Sequence, residues 1–311
     1  MRRYFNVFFC HSKRFFASKS PINSTGHSYH NHVSSNAPRI LVTGASGQIG
    51  TELVPFLRKK YGVENVIASD LKAVSKHGEG PFYYADVTNF DQLAKNFKKK
   101  QYFTHHIKQM VTKKKVSGGK QRNMAVGEQQ PKLAIKVNNQ GVENILELAK
   151  MHNLRIMIPS TIAAFGPTTP QDNTPNLTIM RPTTIYGWVF FLLFCITKVY
   201  NELLGEYYHR RYNVDFRSLR YPGIISSRSM PGGGTTDYAV WIYHQALKEG
   251  RYECFLSENT LLPMMFMDDC LNATLQIMEA DNKKLRFPFF FDQNLCTSCV
   301  DPFFLLRKKT G

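Results

Sequence analysis

A chain of 311 residues, 43% hydrophobic and 20% charged, holds enough apolar material for a sizeable core and excludes a disordered or fibrous protein. Forty Lys and Arg against 23 Asp and Glu give a net charge of +17. The excess lies in residues 1–51, with six basic residues and no acid, and in residues 95–136, with twelve basic residues and one acid, Glu128. The remaining body is neutral and offers no basic face for nucleic acid. Six cysteines are scattered without a repeat, which points to reduced thiols. Cys296 and Cys299 form a lone CxxC with no second pair, so no metal site is expected.

In chain order, residues 1–20 are Arg- and Ser-bearing, acid-free and rich in aromatics between the cations, the composition of a mitochondrial transit peptide. Residues 1–37 are therefore read as transit peptide and linker, with cleavage before Arg39 and a mitochondrial matrix location. From Arg39 apolar strands alternate with helical patterns. Strands are expected at 39–44, 65–70, 81–86, 155–161 and 214–223. Helices are expected near 48–60, 89–97, 131–151, 198–212 and 237–249, with another opening after 264. Leu133, Val137, Val142, Ile145 and Leu148 mark the apolar stripe of the long helix at 131–151. The βαβ rhythm predicts an α/β fold, a Rossmann-type doubly wound parallel sheet with a small, truncated C-terminal substrate portion. The division is a nucleotide-binding domain at 38–223, a partial substrate portion at 224–284 and an atypical tail at 285–311.

Three stretches break the rhythm. Residues 98–124 are Lys-rich and lack the apolar run that a fourth central strand should have. Residues 188–196, WVFFLLFCI, are nine consecutive apolar residues, too few for a membrane span of roughly 20. The tail has no clear period.

Gly44-Ala45-Ser46-Gly47-Gln48-Ile49-Gly50 follows an apolar strand and opens an amphipathic helix. Glycines suit that place because the turn is tight, the backbone must approach a diphosphate, and the helix start must pack on the strand. Asp70 ends the next strand, where a carboxylate can accept both ribose hydroxyls and repel a 2′-phosphate; NAD is therefore expected over NADP.

This GxxGxxG spacing resembles the extended short-chain dehydrogenases/reductases. Asp86-Val87 falls where that superfamily sets an acid and an apolar residue against adenine, and Asn138 where it keeps a structural Asn. Pro159-Ser160-Thr161 ends a strand, and Arg181-Pro182-Thr183-Thr184-Ile185-Tyr186-Gly187 brings a tyrosine. With LAIKVNNQGVENILELAK, LLGEYYHRRYNVDFRSLRYPGIIS and PGGGTTDYA, the sequence is similar to the mitochondrial L-threonine 3-dehydrogenase family within that superfamily. The likeness covers about 39–97, 125–187 and 198–280.

The resemblance implies NAD-dependent oxidation of the L-threonine 3-hydroxyl to 2-amino-3-oxobutanoate. It makes Tyr186 the base, Lys198 the cation that lowers the tyrosine pKa and holds the nicotinamide ribose, and Thr161 the partner of the reacting hydroxyl. It sets Ile224 beside the nicotinamide and Gly233, Thr235 and Thr236 at the amino-acid substrate. It also implies a homodimer through the helices near 131–151 and 198–212. Tyr186 and Lys198 depart from the family, which spaces this pair four apart on one helix face. Here the spacing is 12, and Phe194 stands four before Lys198. Either the apolar run loops out and returns Tyr186 to its place, or the chain is an impaired family member that at most binds NAD.

Overall fold

The structure, a computed structural model, describes residues 5–6, 37–73, 80–97, 102–106, 130–170, 174–175, 177–182, 191–228, 237–254, 256, 263–282 and 285. Strand β1 is Phe5–Asn6, and β2 is Arg39–Thr43, buried at every residue after Arg39. Val66–Asp70 (β3) is likewise buried until Asp70. Strands covered on both faces by helices need apolar side chains at consecutive positions, so these runs do not alternate. Phe82–Tyr84 (β4), Tyr102–His106 (β5), Arg155–Thr161 (β6) and Asp215–Tyr221 (β7) complete a six-stranded sheet of order β4-β3-β2-β5-β6-β7. Every pairing in it is parallel. The order reverses between β2 and β5, which opens a crevice at the C-terminal edge of the strands.

Helices cover both faces. Gly50–Tyr61 (α1) presents Leu53, Val54 and Leu57 to Ile40, Val42 and Ala68 on one face. Phe90–Phe97 (α2), Gly141–His152 (α4) and Phe191–Tyr212 (α5) lie on the other. There Leu93, Val142, Ile145 and Leu148 pack with Leu41, Ile67 and Ile156. Successive residues of β2 thus serve opposite cores, as the period of two requires. The long helix predicted at 131–151 is present but not uniform. Pro131–Ile135 (α3) leads through a π segment, Lys136–Gln140, into α4. The wider turn shifts the apolar stripe, and Leu133 is exposed while Val137 is buried.

Two expectations are corrected. The central strand missing from the sequence pattern exists: β5 joins β2 from Arg39↔Tyr102 to Thr43↔His106, and joins β6 at Thr104↔Ile156 and His105↔Met157. Main-chain pairing does not require an aliphatic run, and Tyr, Phe and Thr are good strand formers. The helix predicted to begin at Lys198 begins at Phe191. Most of the apolar run is helical rather than looped out, because a helix satisfies its own amides and buries Cys195 at 3% exposure.

Beyond β7, Gly223–Ile225 (β8) pairs in parallel with Met264–Phe266 (β10), and Tyr238–Glu249 (α6) precedes Arg251–Tyr252 (β9). Phe5–Asn6, from the expected presequence, lies antiparallel to β9. Met267–Glu279 (α7) returns to the core beside α1, contributing Cys270, Leu271 and Ile277. Its end is held by Arg217 of β7, which is fully buried and donates to the carbonyls of Ile277, Met278 and Ala280 and to Asp215. Arg217→Met leaves those carbonyls and the Asp215 carboxylate without these donors. A loss of about 3–5 kcal/mol in unfolding free energy is expected in urea titration; an unchanged midpoint would contradict this role.

Candidate functional site

The C-terminal edge of β2 turns sharply at Gly44, whose φ of 67° is left-handed. A Cβ on Gly50 would lie 2.5 Å from the Gly44 carbonyl oxygen and 2.6 Å from that of Ala45, so only glycine lets α1 start against the turn. No side chain caps that start. A helix N-terminus behind a glycine turn suits a diphosphate, whose charge the helix dipole favours. Ile49 is buried, and Gln48 reaches across to donate from Nε2 to the Ile224 carbonyl of β8 at 3.5 Å. A second link to that region runs from Ser226 Oγ to Glu52 Oε1 of α1, 2.5 Å.

Asp70 ends β3 beside this loop. Its Oδ2 accepts from the Ser46 amide at 3.1 Å and its Oδ1 from the Leu71 amide at 2.6 Å, while Ser46 Oγ donates to the Lys72 carbonyl. Each carboxylate oxygen has a further lone pair, so both ribose hydroxyls can still be accepted. Asp86 turns its side chain inward on its own loop, with Oδ1 accepting from the Thr88 amide and hydroxyl, each at 2.9 Å. Val87 is buried, and its carbonyl accepts from Asn144 Nδ2 of α4. The loop, Asp70 and the Asp86-Val87 pair therefore gather at one edge of the sheet.

The other half of the edge is built by β6 and α5. Thr161 ends β6 and its Oγ1 accepts from the Ala163 amide at 3.2 Å, capping a single 3₁₀ turn, Ile162–Ala164. Lys198 is buried, and its Nζ donates to the Pro159 carbonyl at 2.9 Å, two residues before Thr161. Burial lowers the ammonium to about 8, with Glu202 one turn further on acting in the opposite sense. Asn138, in the π segment, donates to Thr197 Oγ1, and its carbonyl accepts from Asn201 Nδ2. Lys198 and Thr161 are thus brought to one strand end. Tyr186, Gly233, Thr235 and Thr236 lie outside the described residues, as do Cys296 and Cys299. Among the described residues no cluster of His, Cys, Asp and Glu could hold a metal, and no helix is long and apolar enough to cross a membrane.

Sequence reasoning missed Glu202, which is buried and accepts from Ser160 Oγ. Its signal was available: an acid four residues after Lys198 falls on the same helix face.

A doubly wound sheet with a glycine turn at its switch point defines a Rossmann-type, dinucleotide-binding fold. Residues 40–287 match the NAD dependent epimerase/dehydratase family, and the chain belongs to it. It is 47% identical over 250 residues to the mitochondrial L-threonine 3-dehydrogenase of Bos taurus, covering 79% of this chain and 62% of that protein. The chain thus spans less than two thirds of that relative's length. The crystal structure of L-threonine dehydrogenase from Phytophthora infestans is 46% identical with a TM-score of 0.69, covering 81% of this chain and 75% of the other. A monomeric L-threonine 3-dehydrogenase of metagenomic origin, in its apo form, is 40% identical with a TM-score of 0.69, covering 81% and 75%.

Lys198 releases its proton more readily in the folded chain than in the unfolded one. Between about pH 8 and 10.5 the unfolded state binds more protons, so this group's contribution to stability rises with pH. The stability of the parent relative to Lys198→Met is expected to climb by on the order of 3 kcal/mol across that window. Urea titrations at both ends of the window check this, and a flat difference would contradict it.

Proposed function

We propose that this chain is an NAD-dependent L-threonine 3-dehydrogenase, which takes threonine to 2-amino-3-oxobutanoate. The observation that carries the proposal is the buried Lys198 ammonium bonded to the Pro159 carbonyl, two residues before Thr161. This arrangement lies at the same sheet edge as the Gly44–Gly50 turn. The threonine dehydrogenases among its relatives support the substrate.

When bound, NAD⁺ supplies the hydride acceptor. The turn from Gly44 to Gly50, with Ser46, Gly47, Gln48 and Ile49, holds the diphosphate. Asp70 takes the ribose hydroxyls, and Asp86 and Val87 flank the adenine. Thr161 accepts or donates a hydrogen bond at the substrate hydroxyl, and Tyr186 removes its proton. An unperturbed phenol near 10 needs a cation to act near neutrality, and Lys198 provides it. Residues 224–284 supply the substrate side, with Ile224 behind the nicotinamide and Gly233, Thr235 and Thr236 at the amino acid.

One observation favours a second reading, an NAD-binding chain with impaired catalysis. Helix α5 runs unbroken from Phe191, so Phe194 rather than Tyr186 stands one turn before Lys198. Threonine-dependent NADH formation, followed by absorbance, separates the two. Deleting residues 188–195 leaves Tyr186-Gly187-Ile196-Thr197-Lys198 and restores the spacing of four. Turnover by the full chain is the expected result. A silent full chain with a turning-over deletion variant establishes impairment, and silence in both, with nicotinamide fluorescence still reporting NADH binding, removes the dehydrogenase reading.

A homodimer and a mitochondrial matrix location belong to the same proposal. Leu133 and Ile135 of α3 and Ile196, Leu203 and Tyr207 of α5 are exposed apolar side chains on neighbouring helices, which supports association there. The name of the bovine relative supports the location. Residues 1–37 fused to a fluorescent protein should enter mitochondria; a cytosolic signal would defeat the assignment.

A further inference from the structure

Arg220 stands near the end of β7 with its side chain 7% exposed, against Glu202 at 3%. Its Nε donates to Glu202 Oε1 at 3.1 Å and its Nη2 to Oε2 at 2.8 Å, a two-point grip on α5 one turn past Lys198. The same carboxylate accepts from Ser160 Oγ, on the residue before Thr161. The guanidinium also reaches in another direction. Its Cζ lies 4.9 Å from the centroid of the Phe165 ring, and Nη2 donates to Met180 Sδ at 3.1 Å.

Phe165 and Met180 belong to the two arms of the segment that follows Thr161, and those arms are fastened together. The Gly166 amide donates to Thr169 Oγ1 at 3.0 Å, and Thr169 Oγ1 donates to the Ile179 carbonyl at 3.3 Å. Gly166 passes so close to the opposite arm that a Cβ would fall on the Arg181 carbonyl oxygen. The segment leaves Thr161 at one end and passes Pro182, four residues before Tyr186, at the other. A single side chain therefore touches the helix of Lys198, through Glu202 the strand of Thr161, and both arms of the segment between Thr161 and Tyr186.

A buried ion pair is a weak source of stability, because desolvation offsets its attraction. Geometry is what this pair provides. A planar guanidinium offers a forked edge to a carboxylate and a face to an aromatic ring at once, which an ammonium cannot do. We propose that Arg220 is a positioning residue that locks the arms at 162–170 and 177–182 to α5, fixing Thr161 relative to Lys198. The effect on turnover rests on the dehydrogenase reading; the effect on the order of the segment does not.

Two variants of the full chain test this by hydrogen exchange. Arg220→Lys keeps a charge opposite Glu202 but loses the fork and the face. The pair Phe165→Leu and Met180→Leu leaves the ion pair in place and removes the other side of the clamp. Both are expected to speed amide exchange in 162–170 and 177–182 by about tenfold or more, with β2 and β3 unaltered. Where the parent oxidises threonine, kcat should fall by about tenfold to a hundredfold while the KM for NAD⁺ holds. Unchanged exchange in the segment, or equal acceleration across the whole sheet, would overturn the proposal. With a parent silent towards threonine, the exchange result alone decides this proposal.

Discussion

Strand β5 is five residues long, and its main-chain hydrogen bonds to β2 on one side and β6 on the other join the two halves of the sheet. One half carries the Gly44–Gly50 turn and Asp70; the other carries Thr161 and, packed against it, Lys198. A nucleotide bound at the first half can meet a reacting group at the second only if the halves are fixed at one strand spacing. Parallel pairing provides that through backbone groups alone, which is why a segment of mixed side chains can hold so central a place. The crevice at the switch point is a consequence of the same pairing, because the β2-to-β4 order and the β5-to-β7 order run outward from it in opposite directions.

The two halves differ in how they are held. The turn at Gly44 depends on space and backbone conformation, with Gly50 packed against the Gly44 and Ala45 carbonyls. The β6 and α5 side depends on buried polar groups: Lys198 on Pro159, Glu202 on Ser160 and Arg220, Asn138 on Thr197. Such groups cost desolvation unless each finds a partner, so they tolerate few alternative arrangements. Two buried atoms of that region, Asn139 Oδ1 and Asn201 Oδ1, have no hydrogen-bond partner among the described groups.

Helix α5 shows how a local preference can compete with a site. Leu, Phe and Ile in succession make a helix easily when a face of it can be buried, and the segment from Phe191 extends the helix upstream of Lys198. The phenol expected one turn before the lysine is displaced in sequence by that extension.

The glycine turn, the acid 20 residues beyond Gly50, the strands at 39–43 and 155–161 and the order of helices were legible in the sequence. Each is set by local spacing, a requirement for glycine or a continuous apolar run, and local chemistry leaves a local trace. The sequence alone also marked Lys198 and Thr161, though only through resemblance. Strand β5 could not be read the same way, since it depends on main-chain partners on β2 and β6 that are distant in sequence. The contacts of Arg220 were equally hidden, because an arginine in a strand looks the same in sequence whether it faces solvent or joins a buried carboxylate, an aromatic ring and a sulfur. What fixes its role is the convergence of α5, Phe165 and Met180 on one side chain of β7, and only tertiary packing brings these separate stretches of chain close enough for one guanidinium to touch them.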